Sequence, residues 1–88
     1  VTLDELRAEL ADLDLPGDTV VVMSEDGEGN GFSPLAEIET AMYAAESTYS
    51  GDRYMTDEDR VATGEPDEYN AAPEDAVPAV FLWPTNQV

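Results

Sequence analysis

The chain has no cysteine, no histidine and no lysine, and only three arginines among its 88 residues. Without cysteine there is no disulfide, no zinc–thiolate cluster and no thiol nucleophile. Without histidine the commonest metal ligand and the usual general base near neutral pH are missing. Ser24, Ser33, Ser47 and Ser50 therefore have no imidazole to activate them. A phosphate-cradling P-loop needs the lysine that is absent. No apolar run approaches the roughly 20 residues that span a bilayer. The opening residues show no basic segment followed by an apolar one, so no secretory leader is expected.

What is abundant is acid. Asp and Glu number 21, for a net charge of −18. Nucleic acid is not an expected ligand, because phosphate neutralisation needs Lys and Arg. Anionic membrane surfaces are set aside by the same argument. Carboxylate pairs suited to acid–base or metal-assisted chemistry are guaranteed by number alone, so they do not signal an enzyme, and none is expected. Repulsion among these charges disfavours a compact state in dilute salt. At 1 M salt the Debye length falls to about 3 Å, which removes most of that penalty. The acidity thus fits a salt-rich cytoplasm, a mechanism such as mimicry of DNA before a nucleic-acid-binding protein, or an ordinary acidic protein of a mesophile. In composition the chain resembles proteins of halophilic archaea.

The length predicts a single small acidic domain over residues 1–88. Residues 2–13 are expected to form a helix. Thr2 and Glu5 make a capping box, and Leu3, Leu6, Leu10 and Leu13 line one face. Pro16 and Gly17 end it. Thr19–Met23 reads as a strand apolar on both faces, hence central. Val77–Trp83 reads as a second central strand and its best neighbour, limited by Pro78 and Pro84. Leu35–Tyr43 suggests an edge strand with Ile38, Thr40 and Met42 inward and Glu37 and Glu39 outward. Ser50-Gly51-Asp52, flanked by Tyr49 and Tyr54, signals a hairpin. Thr56–Asp75 holds eight acidic residues and reads as a long loop. The expected fold is α+β: one N-terminal helix packed by its leucines on an antiparallel or mixed sheet of three to five strands, with a long acidic loop. Phe81 and Trp83 are expected to pack; Tyr43, Tyr49, Tyr54 and Tyr69 lie in weaker segments, where exposed tyrosines would suit protein contacts.

One motif carries chemistry to weigh. Residues 25–35 read EDGEGNGFSPL. The simple account is a turn: glycine supplies positive φ and Asn30 tolerates it. The sharper account is a calcium loop with Asp26, Glu28 and Asn30 at positions 1, 3 and 5, Gly31 at 6 and Glu37 at 12. Ser33 at position 8, Pro34 at position 9 and a strand rather than a helix beforehand count against calcium. No other metal or cofactor is expected.

The run Glu28-Gly29-Asn30-Gly31-Phe32-Ser33-Pro34-Leu35 resembles the EGNxFSPL stretch of small uncharacterised proteins of tailed phages and related viruses. The leucine-striped helix, the valine-rich strand before the motif and the closing segment from Asp75 to Pro84 are similar too; the acidic middle matches least. The resemblance implies a viral origin, with a halophilic archaeal virus suggested by the charge, and residence in the host cytoplasm or the virion. It implies no activity and assigns no catalytic residue. Three roles are therefore expected to compete: an accessory protein binding another protein, a DNA mimic, and a virion decoration or tail subunit. The partner and the oligomeric state are left open.

Overall fold

The computed structural model describes residues 1–85. The order of elements is α1 (Leu3–Ala11), β1 (Val22–Ser24), β2 (Phe32–Ala45), β3 (Gly51–Tyr54), α2 (Asp57–Ala62), a 3-10 turn (Pro66–Glu68) and β4 (Val77–Pro84). This is a small α+β fold with an antiparallel four-stranded sheet. Among the described residues, β1, β3 and β4 each pair with β2. Packing divides the described residues into two compact units: Val1–Glu37 with residues 82–85, and Ile38–Phe81.

In the first unit α1 starts as its capping box dictates. Thr2 Oγ1 accepts from the Glu5 N–H at 3.1 Å, and Glu5 Oε1 accepts from the Thr2 N–H at 3.4 Å. The leucine stripe does not sink as expected. Leu3, Leu10 and Leu13 stay exposed and Leu6 is half-buried, so the stripe is not buried along its length. Asp12 at the helix C-cap, where a carboxylate opposes the helix dipole, gives α1 no electrostatic help either.

The expected central strand Thr19–Met23 is a short edge. β1 begins at Val22 and pairs antiparallel with the start of β2, Val22 opposite Pro34, Met23 opposite Ser33 and Ser24 opposite Phe32. The ladder continues one step each way through Leu35 N–H to Val21 C=O and Glu25 N–H to Gly31 C=O, both 2.9 Å. Two faces result. Met23, Ser33 and Leu35 lie on the more buried one, whereas Val22, Ser24, Phe32 and Pro34 are exposed on the other. A run of valines is thus no proof of burial: Val20, Val21 and Val22 are all exposed. Nor are the two expected strands neighbours, since β1 and β4 both pair with β2. Near the end of β4, the Thr85 N–H donates to the Pro34 carbonyl at 2.9 Å.

The expected edge strand is the hub, and in the second unit its expected parity holds at Met42, which is half-buried, but is reversed from Ile38 to Ala41, while Glu37 is exposed as expected. Ile38 is 67% exposed and Thr40 is exposed, whereas Glu39 is half-buried and Ala41 fully buried. The charge is tolerated because Arg53, from β3, donates Nε to Glu39 Oε1 at 2.7 Å and Nη2 to Oε2 at 2.8 Å. Tyr43 meets Phe81 edge-on, with ring centroids 6.3 Å apart and planes at 61°. The expected β2–β3 hairpin forms, with Met42 opposite Tyr54 and Ala45 opposite Gly51.

Thr56–Asp75 is not one loop. Thr56 caps α2, its Oγ1 accepting from the Asp59 N–H at 3.1 Å, and three carboxylates in the first turn suit the positive end of the helix dipole. Arg60 closes the helix onto the 3-10 turn, donating to Asp57 at 3.2 Å and to the Pro66 carbonyl at 3.0 Å.

Candidate functional site

The EDGEGNGFSPL segment forms the β1–β2 hairpin. Asp26 is the hub of its loop. Its Oδ1 accepts from the backbone N–H groups of Glu28 at 2.9 Å and Asn30 at 3.2 Å, and its Oδ2 accepts from the Asn30 side-chain amide at 3.0 Å. The Asn30 amide, with the backbone donors behind it, holds the Asp26 carboxyl below its ordinary value. Gly29 takes φ +75°, the left-handed conformation that closes such a turn. Ser33, the one buried polar residue among those described, donates its hydroxyl to Glu25 at 3.3 Å.

Asp26, Glu28 and Asn30 do come together, but the Asn30 amide donates to both carboxylates, reaching Glu28 Oε2 at 3.4 Å. In this structure the Asn30 amide thus takes up an oxygen of each carboxylate. Glu37, the twelfth position, lies exposed in β2. Among the described residues no three acidic side chains converge as a metal-holding group. The loop is a hydrogen-bonded turn, as its glycines and Asn30 suggest.

Searches against protein-family models, curated proteins and solved structures find no match for this chain. Its own surface is therefore the guide to what it does.

Two surface properties dominate. The first is apolar exposure. Ala41 is the one buried hydrophobic residue among those described, and no large side chain is fully buried. In the first unit Leu10, Leu13, Leu15, Val20, Val21 and Phe32 face outward. The second property is unbalanced charge. Each arginine has an acidic neighbour: Arg7 lies 3.9 Å from Asp4, Arg53 grips Glu39 and Arg60 meets Asp57. At the β2–β3 hairpin the excess is local, because Asp52, by hydrogen bonding and repulsion, raises the carboxyl of Glu46 above its ordinary value. Among the described residues no helix is long and apolar enough to cross a membrane.

Tyr49 is exposed at the hairpin loop, with Tyr69 partly exposed after the 3-10 turn; Tyr43 and Tyr54 are half-buried. Trp83, expected in the core, is 41% exposed, whereas Phe81 is half-buried. Val20, Val21 and Val22, which the sequence suggests are core, are exposed.

Proposed function

We propose that the protein is a small non-catalytic accessory protein, of viral origin, that works by binding another protein. The observation that carries this is the inversion of its apolar side chains: one alanine is buried while leucines, valines and Phe32 lie open to solvent. A domain this short gains little from its own core, and contiguous exposed apolar surface marks an interaction face. The viral origin, in a halophilic archaeal host, rests on the likeness of residues 28–35 to the phage stretch and on the net charge. The absence of imidazole and thiol supports a role without catalysis. The working location is then the host cytoplasm or the virion.

The test is affinity purification of the tagged protein from infected host cells in molar KCl, with the stoichiometry of co-purifying chains measured. One protein at a fixed ratio, protecting the exposed leucines or valines from hydrogen exchange, is the expected result. A chain that remains monomeric with no stoichiometric companion overturns it.

A DNA mimic is the second reading, favoured by the net charge of −18 and by arginines that each sit beside an acid. It requires the companion to be a nucleic-acid-binding protein, released by added DNA and by salt. A virion subunit would instead show symmetric self-association and appear in purified particles.

A further inference from the structure

We infer that the free edge of β1 accepts an extended, cationic segment of a partner protein as an added strand. The inference rests on the binding role proposed above and assigns it a surface and a partner chemistry. In the β1–β2 ladder the bonded residues are Val21, Met23 and Glu25, as Val21 C=O with Leu35 N–H and Glu25 N–H with Gly31 C=O show. Antiparallel pairing alternates, so the N–H and C=O groups of Val22 and Ser24 point to the opposite edge. Among the described residues no strand lies there, since β1 pairs with β2 alone.

Proteins usually blunt such an edge with lysine, proline or a bulge. From Thr19 to Ser24 there is no charge and no proline, and Val20, Val21 and Val22 are exposed. β1 is short, which is itself a restraint on such an edge. Strand addition to an exposed edge is an established recognition mode: backbone bonds give affinity and alternate side chains give specificity.

Charge selects the occupant. Asp18 precedes the valines, and Glu25, Asp26 and Glu28 follow them. No basic residue lies between Arg7 and Arg53. A second copy paired antiparallel about Val22 would set Asp18 against Asp26, with −18 on each chain; like charges so placed oppose association. A strand with apolar side chains at its centre and Arg or Lys at its ends complements the edge in both respects.

The test uses three short labelled peptides with the whole protein: one alternating valine and arginine, the same peptide with alternate backbone amides N-methylated, and one with glutamate for arginine. Binding is followed by fluorescence anisotropy across KCl concentrations at which circular dichroism shows the protein folded, and the bound edge by amide hydrogen exchange. The arginine peptide should bind, protect the Val22 and Ser24 amides, and weaken as KCl rises. The other two should bind at least about tenfold more weakly. Val22→Pro removes an outward N–H without touching a β1–β2 bond and should weaken the arginine peptide about tenfold. Val20→Lys, which leaves the backbone intact, should weaken it too and covers the case in which the proline variant fails to fold. Equal binding of the N-methylated or glutamate peptide, protection elsewhere, or no binding of the arginine peptide overturns strand addition. If a native companion is still captured, and it masks the α1 leucines instead, the edge inference fails while the binding role stands. If neither companion nor peptide binds, both fall.

Discussion

Arg53 and Glu39, 14 residues apart in sequence, are joined by two nearly parallel bonds of 2.7 and 2.8 Å on side chains about one-third exposed. The guanidinium is held more firmly charged than usual, first by the hydrogen bond it donates to Glu39. The pair fixes β3 on β2 and turns Glu39 toward the more buried side of a strand whose Ile38 faces solvent.

Arg53→Ala should therefore destabilise the fold by about 1–2 kcal/mol, between the worth of a surface pair and that of a charged hydrogen bond. Arg53→Lys should recover less than half, because a single ammonium cannot reproduce the fork. Denaturant unfolding of both variants at fixed KCl, with Glu39→Gln closing a double-mutant cycle, measures the coupling.

Thr56→Ala should melt α2 selectively. A lost N-cap costs about 1 kcal/mol, and besides it a helix as short as Asp57–Ala62 is held mainly by its first-turn carboxylates and the Arg60 bonds. Backbone chemical shifts of residues 57–62 should move toward coil values while those of β2 stay in place.

Gly51 and Gly17 should respond oppositely to alanine. A Cβ at Gly51 would lie 2.6 Å from the Tyr43 ring, so Gly51→Ala should lower the unfolding midpoint. Nothing lies within 4 Å of a Cβ at Gly17, and Gly17→Ala should be neutral or slightly stabilising through the unfolded chain.

Acid should loosen the β1–β2 loop. The Asp26 carboxyl is held below its ordinary value of 3.8, so its contribution is present above that pH and is lost as pH falls through the depressed folded value. Glu46 has the opposite sign: its raised carboxyl favours the fold when protonated, and that gain disappears as pH rises through the folded value. Carboxyl carbon NMR should place the Asp26 midpoint below 3.8 and the Glu46 midpoint above 4.5. Asp26→Asn should remove the pH response of the Asn30 amide.

Potassium chloride should stabilise the fold. With −18 charges and little apolar burial, repulsion is a large term against compaction. Screening at molar salt relieves it. Far-UV circular dichroism during a KCl titration should show helix and strand signal growing and the thermal midpoint rising. A protein fully folded and unresponsive in dilute salt would instead leave its carboxylates available as a binding surface.

The parts legible in the sequence are those written in neighbouring residues. Thr2 with Glu5 gives the start of α1, Asp26 with Asn30 and the glycines gives a turn, and Ser50-Gly51-Asp52 gives a hairpin. The same logic at Thr56 and Asp59 foretells α2, but without an apolar stripe the acidic residues mask the signal. Parity in β2 is illegible locally, because what permits Glu39 on the more buried side is an arginine that arrives only through the hairpin. The valines before β1 mislead because hydrophobicity states a preference for burial, and only tertiary structure supplies the cover.

The dependence of β1, β3 and β4 on β2 also sets an order for biosynthesis. As the chain leaves the ribosome from its N-terminus, Val20, Val21 and β1 emerge with no strand to pair with until Phe32–Ala45 follows them. Once β2 is out, the two hairpins can close over short loops within microseconds, whereas β4 must await Val77–Pro84. Truncation just before Val77 should thus leave a nascent species with both hairpins and an open β2 flank, the form in which chaperones and proteases would meet this protein.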